Sequence, residues 1–243
     1  MKKLLTSLFG IFAYIVGLAG LTAFMLYMGS WSFLPIHINS QTVESTTAHA
    51  IAVNALIMVL FGLHHSLAAR SSFKQKMIRL MPAEIERSVY VLVSGLFMFG
   101  FCLYWQPLAG TVWSTDNSAV TLALQAVHVL GWLILVAATF EIDHFHLMGL
   151  KQSLSMNPSE GDRLKENFLY RIVRHPIQTG VLLGIWSTAN MSMTQFMLSV
   201  CMTVYIFIGL YYEEKSLIAH FGDTYLDYKK RVPAVVPFWP TGR

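Results

Sequence analysis

The chain has 243 residues, of which 55% are hydrophobic and 12% are charged, and its formal net charge is +4. Soluble domains carry about 25% charged residues, and here the few charges leave long stretches with none. These stretches are 4–43, 45–69, 88–115, 117–140 and 175–212. Each exceeds the roughly 20 apolar residues that cross a bilayer. The sequence therefore excludes a water-soluble enzyme and a free nucleic-acid binder, and it predicts an all-α polytopic membrane protein.

The first four stretches predict one membrane span each. As a single helix, residues 175–212 would be about 57 Å long, nearly twice the hydrocarbon core. We therefore expect this stretch to fold back at 187–192, which gives about six crossings with a short fifth one. The predicted spans are Leu4–Met28, Ala48–Ala68, Val89–Trp105, Ala119–Phe140, Ile177–Trp186 and Thr194–Tyr212.

The distribution of positive charge predicts the orientation of these spans. The 17 Lys and Arg residues cluster in alternate loops, and the loops 29–47, 106–117 and 187–192 contain none. Short loops that carry Lys and Arg stay in the cytoplasm. The pattern predicts that both termini lie inside (N-in/C-in), so the basic charge indicates topology rather than nucleic-acid binding.

Helices are also predicted on the cytoplasmic face. Leu164, Phe168 and Ile172 recur at a helical spacing among basic residues, which is typical of an amphipathic interfacial helix. After the last span, Gly222-Asp223 indicates a helix stop followed by an N-cap, and a second short helix follows with Tyr225 and Tyr228. The basic residues that flank the interfacial helix are Arg163, Lys165, Arg171 and Arg174.

The segment Tyr170–Gly180 is the first candidate for chemistry. A residue that precedes proline avoids the α region, so the interfacial helix should end near Arg174, and Pro176 suits the first position of the next helix. Such a helix N-terminus binds anions, and Gly180 permits close approach of a ligand. An ordinary proline-initiated span with an arginine reaching the interface is an equal alternative.

Glu213 and Glu214 form the second candidate. Carboxylates at the end of an apolar helix are costly unless they are paired or face a polar cavity. One helical hairpin would bring them close to Arg174 and His175, and a cation facing an anion suits a zwitterionic ligand. The alternative is a solvated pair at the membrane boundary.

The histidines form the third candidate. Six of the nine are predicted at the cytoplasmic face, close to carboxylates at the ends of several spans. Such a concentration of titratable groups favours a functional site, although single interfacial histidines are usually structural. The six are His64, His65, His144, His146, His175 and His220.

Two groups of motifs resemble known membrane methyltransferases. The C-terminal third, Arg174-His175-Pro176 with Gly180, then Glu213-Glu214 and Tyr225, is similar to the core of the isoprenylcysteine and phospholipid methyltransferase superfamily. Upstream, the chain more narrowly resembles the bacterial methanethiol S-methyltransferases. The upstream segments are His65-Ser66 with Ala69-Arg70, Glu86–Leu92 and His144–Gln152. Gln178 departs from the superfamily, which often has Tyr at the corresponding position of the substrate channel.

The resemblance implies a single integral membrane methyltransferase domain over residues 1–243 in the bacterial inner (cytoplasmic) membrane, with its active site near the cytoplasmic face. Residues 1–160 would supply the N-terminal spans and substrate-side elements, and 161–243 the cofactor-binding hairpin and tail. The implied cofactor is S-adenosyl-L-methionine, and the resemblance assigns its binding to Arg174, His175, Pro176, Gly180 and one or both of Glu213 and Glu214. We expect its adenine to lie against Tyr225 or Tyr228, and Tyr170 completes the predicted cofactor-binding residues.

The expected reaction is methylation of a small thiol, with methanethiol converted to dimethyl sulfide. A thiolate is the nucleophile, so a base is needed at neutral pH. His144 or His65 is the candidate base, and Asp143 or Glu86 could orient it. Arg87 and Tyr90 complete the catalytic candidates. No metal ligand set and no nucleic-acid partner are predicted.

Three alternatives remain open. The acceptor could be a prenylated cysteine, a lipid headgroup, or another thiol or selenol. A histidine-ligated membrane metalloenzyme would need several histidine boxes, of which only His64-His65 and His144-x-His146 resemble fragments. A non-catalytic membrane factor, such as one that assists nitrogen-oxide respiration, is the third.

Overall fold

The computed structural model describes residues 2–68, 70–156 and 164–238, and helices dominate these ranges. Two short strands, β1 (Thr111–Trp113) and β2 (Met191–Ser192), form a small two-stranded sheet. The all-α prediction is confirmed apart from this sheet. The helices are α1 (Lys2–Met28), α2 (Thr47–Ala68), α3 (Ser71–Met77), α4 (Ala83–Tyr104), α5 (Ser118–Glu141), α6 (His144–Leu147), α7 (Leu150–Ser153), α8 (Phe168–Ile172), α9 (Pro176–Trp186), α10 (Met193–Phe221) and α11 (Asp223–Arg231).

The predicted spans are present as helices. Five of them, α1, α2, α4, α5 and α10, are long and apolar enough to cross a membrane. Helix α9 has 11 residues, about 16 Å, which is half of a bilayer core and agrees with a short fifth arm. The N-in/C-in orientation stays a prediction.

The last span is longer than expected. Helix α10 continues nine residues beyond Tyr212 to Phe221, and residues 213–221 contain no Gly or Pro that would end it. Gly222 then has φ +57°, a left-handed conformation that glycine adopts without a steric penalty. Glu213 and Glu214 therefore lie within a helix rather than at its C-terminal end, where carboxylates would be unfavourable.

The predicted amphipathic helix is shorter than expected. Only Phe168–Ile172 is helical as α8, and the residues from Leu164 to Asn167 are not. Leu164 instead packs against the buried side chains of Tyr225 and Tyr228, so it does not continue the helical face of Phe168 and Ile172. Arg163 lies outside the described residues.

The chain divides into two compact units. The first consists of Met1–Val112, Asp143–Gly161 and Ser192–Gln195, and the second of Trp113–Ile142, Asp162–Met191 and Phe196–Arg243. Each unit carries one of the groups of candidate residues described below. The single-domain prediction, with its division after residue 160, stays a prediction.

In the first unit, α1 packs along α4 through small residues. The backbones approach so closely at Gly20 and Gly95 that a Cβ atom on Gly20 would lie 2.3 Å from the Gly95 carbonyl oxygen. Small residues allow such packing between membrane helices. This contact sets the position of the start of α4, which carries Arg87 and Tyr90.

In the second unit, α5 packs along α9 in the same way. A Cβ atom on Gly131 would lie 2.7 Å from both the Gly180 oxygen and the Gly184 nitrogen. The buried ring of His128 joins the two helices, because its Nδ1 lies 2.7 Å from the Gly184 oxygen and its Nε2 accepts from Trp132 Nε1 at 3.0 Å. These contacts set the position of the N-terminus of α9.

Candidate active site

The N-terminus of α9 is built as the proline predicts, and the tail covers the residues before it. Pro176 occupies the first turn and His175 the N-cap position. The backbone N–H of Arg174 donates to the Pro233 oxygen at 2.8 Å, and that of His175 to the Ala234 oxygen at 3.0 Å. The segment after α11 is therefore hydrogen-bonded along the residues that lead into α9.

Arg174 is buried, with 7% of its surface exposed, and protein acceptors surround its guanidinium. Its Nε and Nη2 donate to Glu214 Oε1 at 2.9 and 2.5 Å. Its Nη1 donates to the backbone carbonyls of Lys229 and Val232. A planar guanidinium has several N–H donors and can hydrogen-bond to a carboxylate and to backbone carbonyls at once. Arg174 thus joins α10 to the end of α11.

Glu214 is the centre of this arrangement. Besides Arg174, its carboxylate lies 3.2 Å from His175 Nε2 and 2.6 Å from Lys229 Nζ. We call Arg174, His175, Glu214 and Lys229 the charged cluster. The structure brings Arg174 and Glu214 together, as the hairpin geometry predicts, but their charges neutralise each other. Sequence reasoning missed Lys229, because nothing in a basic tail indicates which lysine turns inward.

Glu213 differs from its neighbour, since about half of its side chain (48%) is exposed. Gln178 Nε2 donates to Glu213 Oε2 at 3.4 Å, and His175 Nδ1 lies 3.9 Å from the same oxygen. These contacts are longer than those of Glu214. Of the two predicted glutamates, Glu213 is the one that remains open to a ligand.

Tyr170 lies close enough to two carboxylates of the second unit, Glu213 and Glu141, for their charges to act on it. Burial raises the pKa of the Tyr170 phenol, and the negative charges of Glu213 and Glu141 raise it further. Glu141 Oε1 accepts from the backbone N–H of Leu169 at 3.3 Å. Its Oε2 is buried and has no hydrogen-bond partner among the described residues. Glu141 directly follows the fourth predicted span, and the sequence motifs assign it no role.

Tyr225 and Tyr228 are core residues of the tail. They are 1% and 2% exposed and pack against Val232, Leu217 and Phe221, and the Tyr228 hydroxyl donates to the Tyr170 carbonyl at 2.5 Å. Burial raises the pKa of both phenols. Their contact with an adenine stays a prediction, and it needs a ring face that protein covers here.

Gly180 packs closely against α5, and its predicted role in cofactor binding stays a prediction. A Cβ atom on Gly180 would lie 2.4 Å from the Gly131 oxygen and 2.7 Å from the Leu135 nitrogen. The side of Gly180 on which a Cβ atom would lie is therefore filled by α5. Small residues on both helices allow this close packing.

The first unit carries the histidine cluster, which we define as His65, Arg87, Tyr90, His144 and Tyr14. The Tyr90 hydroxyl lies 2.8 Å from His65 Nδ1, and the Arg87 guanidinium carbon lies 4.5 Å from the centre of the Tyr90 ring. Arg87 Nε also donates to the Leu147 carbonyl at 2.7 Å. Arg87 therefore joins the start of α4 to α6, where His144 lies.

His144 is 7% exposed, and its Nε2 lies 3.1 Å from the Tyr14 hydroxyl. Burial lowers the pKa of this imidazole, and the charge of Asp143 opposes the shift. Sequence reasoning missed Tyr14, since a tyrosine within an apolar span indicates only packing.

Asp143 is engaged on both of its oxygens. Lys151 Nζ lies 2.7 Å from Oδ2, and the backbone N–H of His146 donates to Oδ1 at 3.2 Å. Asp143 thus caps α6 and acts on His144 through its charge. Within the described ranges, no group of three or more His, Cys, Asp or Glu side chains could hold a metal ion.

Comparison with known proteins agrees with these features. Residues 126–224 match the phospholipid methyltransferase family. Methanethiol S-methyltransferase 2 of Bradyrhizobium diazoefficiens is 38% identical over 92% of this chain and 88% of its own length. The methanethiol S-methyltransferases of Crocosphaera subtropica and Mycobacterium tuberculosis are 33% and 32% identical over 98% and 99% of this chain, and over 94% and 98% of their own lengths. No solved structure matches the chain.

The apolar spans and the match to the phospholipid methyltransferase family show that this is a multi-pass membrane protein and a methyltransferase. More narrowly, the chain belongs to the methanethiol S-methyltransferase family, within the isoprenylcysteine and phospholipid methyltransferase superfamily. The resemblance drawn from the sequence motifs is confirmed.

Proposed function

We propose that this protein methylates methanethiol to dimethyl sulfide with S-adenosylmethionine as the methyl donor. One observation carries the proposal: a relative named for this reaction is 38% identical over 92% of the chain. The family favours this function over a metalloenzyme or a non-catalytic factor. We place the protein in the bacterial inner membrane, with the reaction near the cytoplasmic face.

The second unit offers groups that fit such a donor. When bound, S-adenosylmethionine supplies a methyl group on a positively charged sulfur, which a thiolate displaces. Glu213, half exposed, and the unpartnered Glu141 oxygen suit its cationic groups. The N-terminal turn of α9, which Pro176 begins, suits its carboxylate.

Four of the other predicted cofactor-binding residues hold in place the helices and the tail that form this site. Arg174 and Glu214 hydrogen-bond to each other and to the tail, and in this proposal they hold α9 and α10 in place rather than contact the donor. Tyr225 and Tyr228 hold the tail through their buried rings.

In the first unit, His144 is the base that we favour. Burial lowers its pKa, so the imidazole is neutral at physiological pH and can accept a proton. Its Nε2 lies 3.1 Å from the Tyr14 hydroxyl, a contact that orients the imidazole which, in this proposal, takes the proton of the thiol. His65, which contacts the Tyr90 hydroxyl, is the second candidate.

A small volatile thiol suits an enzyme within the membrane. It partitions into apolar surroundings as the neutral molecule and becomes nucleophilic only after it loses its proton. The reaction of a thiolate with a sulfonium removes two opposite charges, so surroundings poor in water favour it.

The test is methyl transfer by the purified protein in lipid nanodiscs, with isotopically labelled S-adenosylmethionine and a panel of acceptors. The panel contains methanethiol, ethanethiol, a prenylated cysteine and phosphatidylethanolamine. We expect labelled dimethyl sulfide by gas chromatography. Transfer to prenylcysteine or lipid but not to methanethiol would contradict the substrate, and no transfer to any acceptor would contradict the enzyme.

A further inference from the structure

Glu141 is a partly buried residue whose carboxylate has one oxygen engaged and the other, buried oxygen without a hydrogen-bond partner among the described residues. Its Oε1 accepts the N–H of Leu169, near the start of α8. Its Oε2 is inaccessible to solvent and has no hydrogen-bond partner among the described residues. A buried polar atom without a partner costs free energy, so an unpaired carboxylate oxygen indicates a missing donor.

Glu141 and Glu213 both act on Tyr170, since the charge of each raises the pKa of its phenol. Arg174 and Lys229 are directed elsewhere, because both bind Glu214. The region around Tyr170 thus holds two carboxylates whose charge the nearby arginine and lysine do not neutralise.

We propose that Glu141 binds the ammonium group of the methyl donor, which makes it a cofactor-binding residue beside Glu213. The inference rests on the proposed function. An ammonium is a compact cation with three N–H donors, and a hydrogen bond between charged groups is stronger than one between neutral groups. The hydrogen bond from Leu169 fixes the carboxylate before binding, so little conformational entropy is lost.

The amino-acid part and the nucleoside part of the donor can be separated experimentally. S-adenosylhomocysteine carries the ammonium, whereas 5′-methylthioadenosine has the same adenosine and a sulfur but no amino acid. The variant Glu141→Gln keeps an oxygen for the N–H of Leu169 and removes the charge. Calorimetry then measures the dissociation constants of both compounds for the protein in detergent.

We expect Glu141→Gln to weaken S-adenosylhomocysteine binding by about tenfold to a hundredfold, the usual effect of losing a hydrogen bond to a charged group. Binding of 5′-methylthioadenosine should be unchanged. An equal loss for both compounds would overturn the proposal in favour of ribose recognition or a structural defect. Unchanged binding of both would overturn it as well.

Two controls keep the result interpretable. Glu84→Gln removes an exposed carboxylate from the first turn of α4 and should leave both dissociation constants unchanged. A deaminated S-adenosylhomocysteine should bind the parent protein and Glu141→Gln equally well. Since this comparison uses one ligand that lacks the ammonium, a difference between the two proteins would contradict the assigned contact.

The outcome also separates this inference from the proposed function. If the parent protein binds S-adenosylhomocysteine and methylates methanethiol while Glu141→Gln binds normally, only the role of Glu141 is wrong. If the parent protein binds neither adenosyl compound, the proposed function itself fails.

Discussion

The two units treat their titratable residues in opposite ways. In the second unit, the charged cluster places Glu214 against Arg174, His175 and Lys229, with several contacts at 2.5–3.2 Å. In the first unit, His65 and His144 contact tyrosine hydroxyls at 2.8 and 3.1 Å. Paired charges hold a conformation, whereas a neutral histidine can accept a proton from a neighbouring group.

The two clusters are therefore suited to different tasks. A pair of buried opposite charges is costly to break, so the charged cluster is suited to fixing the tail against α9. The histidine cluster is suited to moving a proton, because histidine titrates near neutral pH. We therefore expect the stability of the protein to depend on the charged cluster and proton transfer to depend on the histidine cluster.

The largest effect is expected for Arg174→Ala. This change leaves Glu214 without its main partner and removes the donors to the carbonyls of Lys229 and Val232. Breaking a buried ion pair costs about 3–5 kcal/mol, so the free energy of unfolding in detergent should fall by that amount. Binding of S-adenosylhomocysteine should be lost with it.

The matched control for this change is Arg171→Ala. Arg171 is exposed and its Nε donates to a backbone carbonyl, that of Glu166, so its removal should change stability by less than about 0.5 kcal/mol. Equal effects of the two substitutions would show that Arg174 does not hold the tail.

The next largest effect is expected for His144→Ala. Removal of a general base lowers kcat by about 10²–10⁴, while the dissociation constant of S-adenosylhomocysteine should not change. Single-turnover methylation of methanethiol measures the first quantity and calorimetry the second. His65→Ala, measured in parallel, decides between the two candidates: a large loss there with normal turnover in His144→Ala would transfer the role of base to His65.

A pH profile tests the same residue with a smaller change in rate. Burial lowers the pKa of His144 below its ordinary value of 6.5, so the neutral, proton-accepting form persists as the pH falls through 6.5. The rate should decline only at lower pH, about tenfold per unit below the pKa of the folded protein.

The stability of the protein should follow the same direction. Because the folded state binds this proton more weakly than the unfolded chain, the contribution of His144 is fully present above pH 6.5 and is lost as the pH falls. A kinetic midpoint at or above 6.5, or the same midpoint in His144→Ala, would exclude His144 as the titrating group.

The smallest effect is expected for Lys229→Ala. Lys229 Nζ lies 2.6 Å from Glu214, but 44% of the side chain is exposed, so water screens the pair and the loss should be about 0.2–1 kcal/mol. Lys230→Ala is the control, because Lys230 is 70% exposed in its pair with Asp227. A loss at Lys229 as large as that at Arg174 would show that the cluster depends on every cation equally.

The spans could be predicted because membrane crossing depends on the length of an apolar stretch. The start of α9 at Pro176 and the end of α10 at Gly222 follow from the backbone chemistry of proline and glycine. The interfacial helix was predicted too long because its periodicity included Leu164, which packs against the tail.

The partners of the candidate residues could not be predicted. Tyr14 and His144 are 130 residues apart, and their contact depends on how α1 and α4 pack. The sequence does not show that the backbone of α5 fills the side of Gly180 on which a Cβ atom would lie. Motifs indicated Arg174 and Glu214, and only the structure shows that they bind each other.

The hydrogen bonds of Arg174 also have a consequence for the order of synthesis. Its acceptor Val232 lies 58 residues later in the chain. A ribosome adds about 5–20 residues per second, so roughly 3 to 12 s pass between the two residues. During that interval Arg174 of the nascent chain lacks its final acceptors, and the site is completed only after the helices of the second unit have been synthesised.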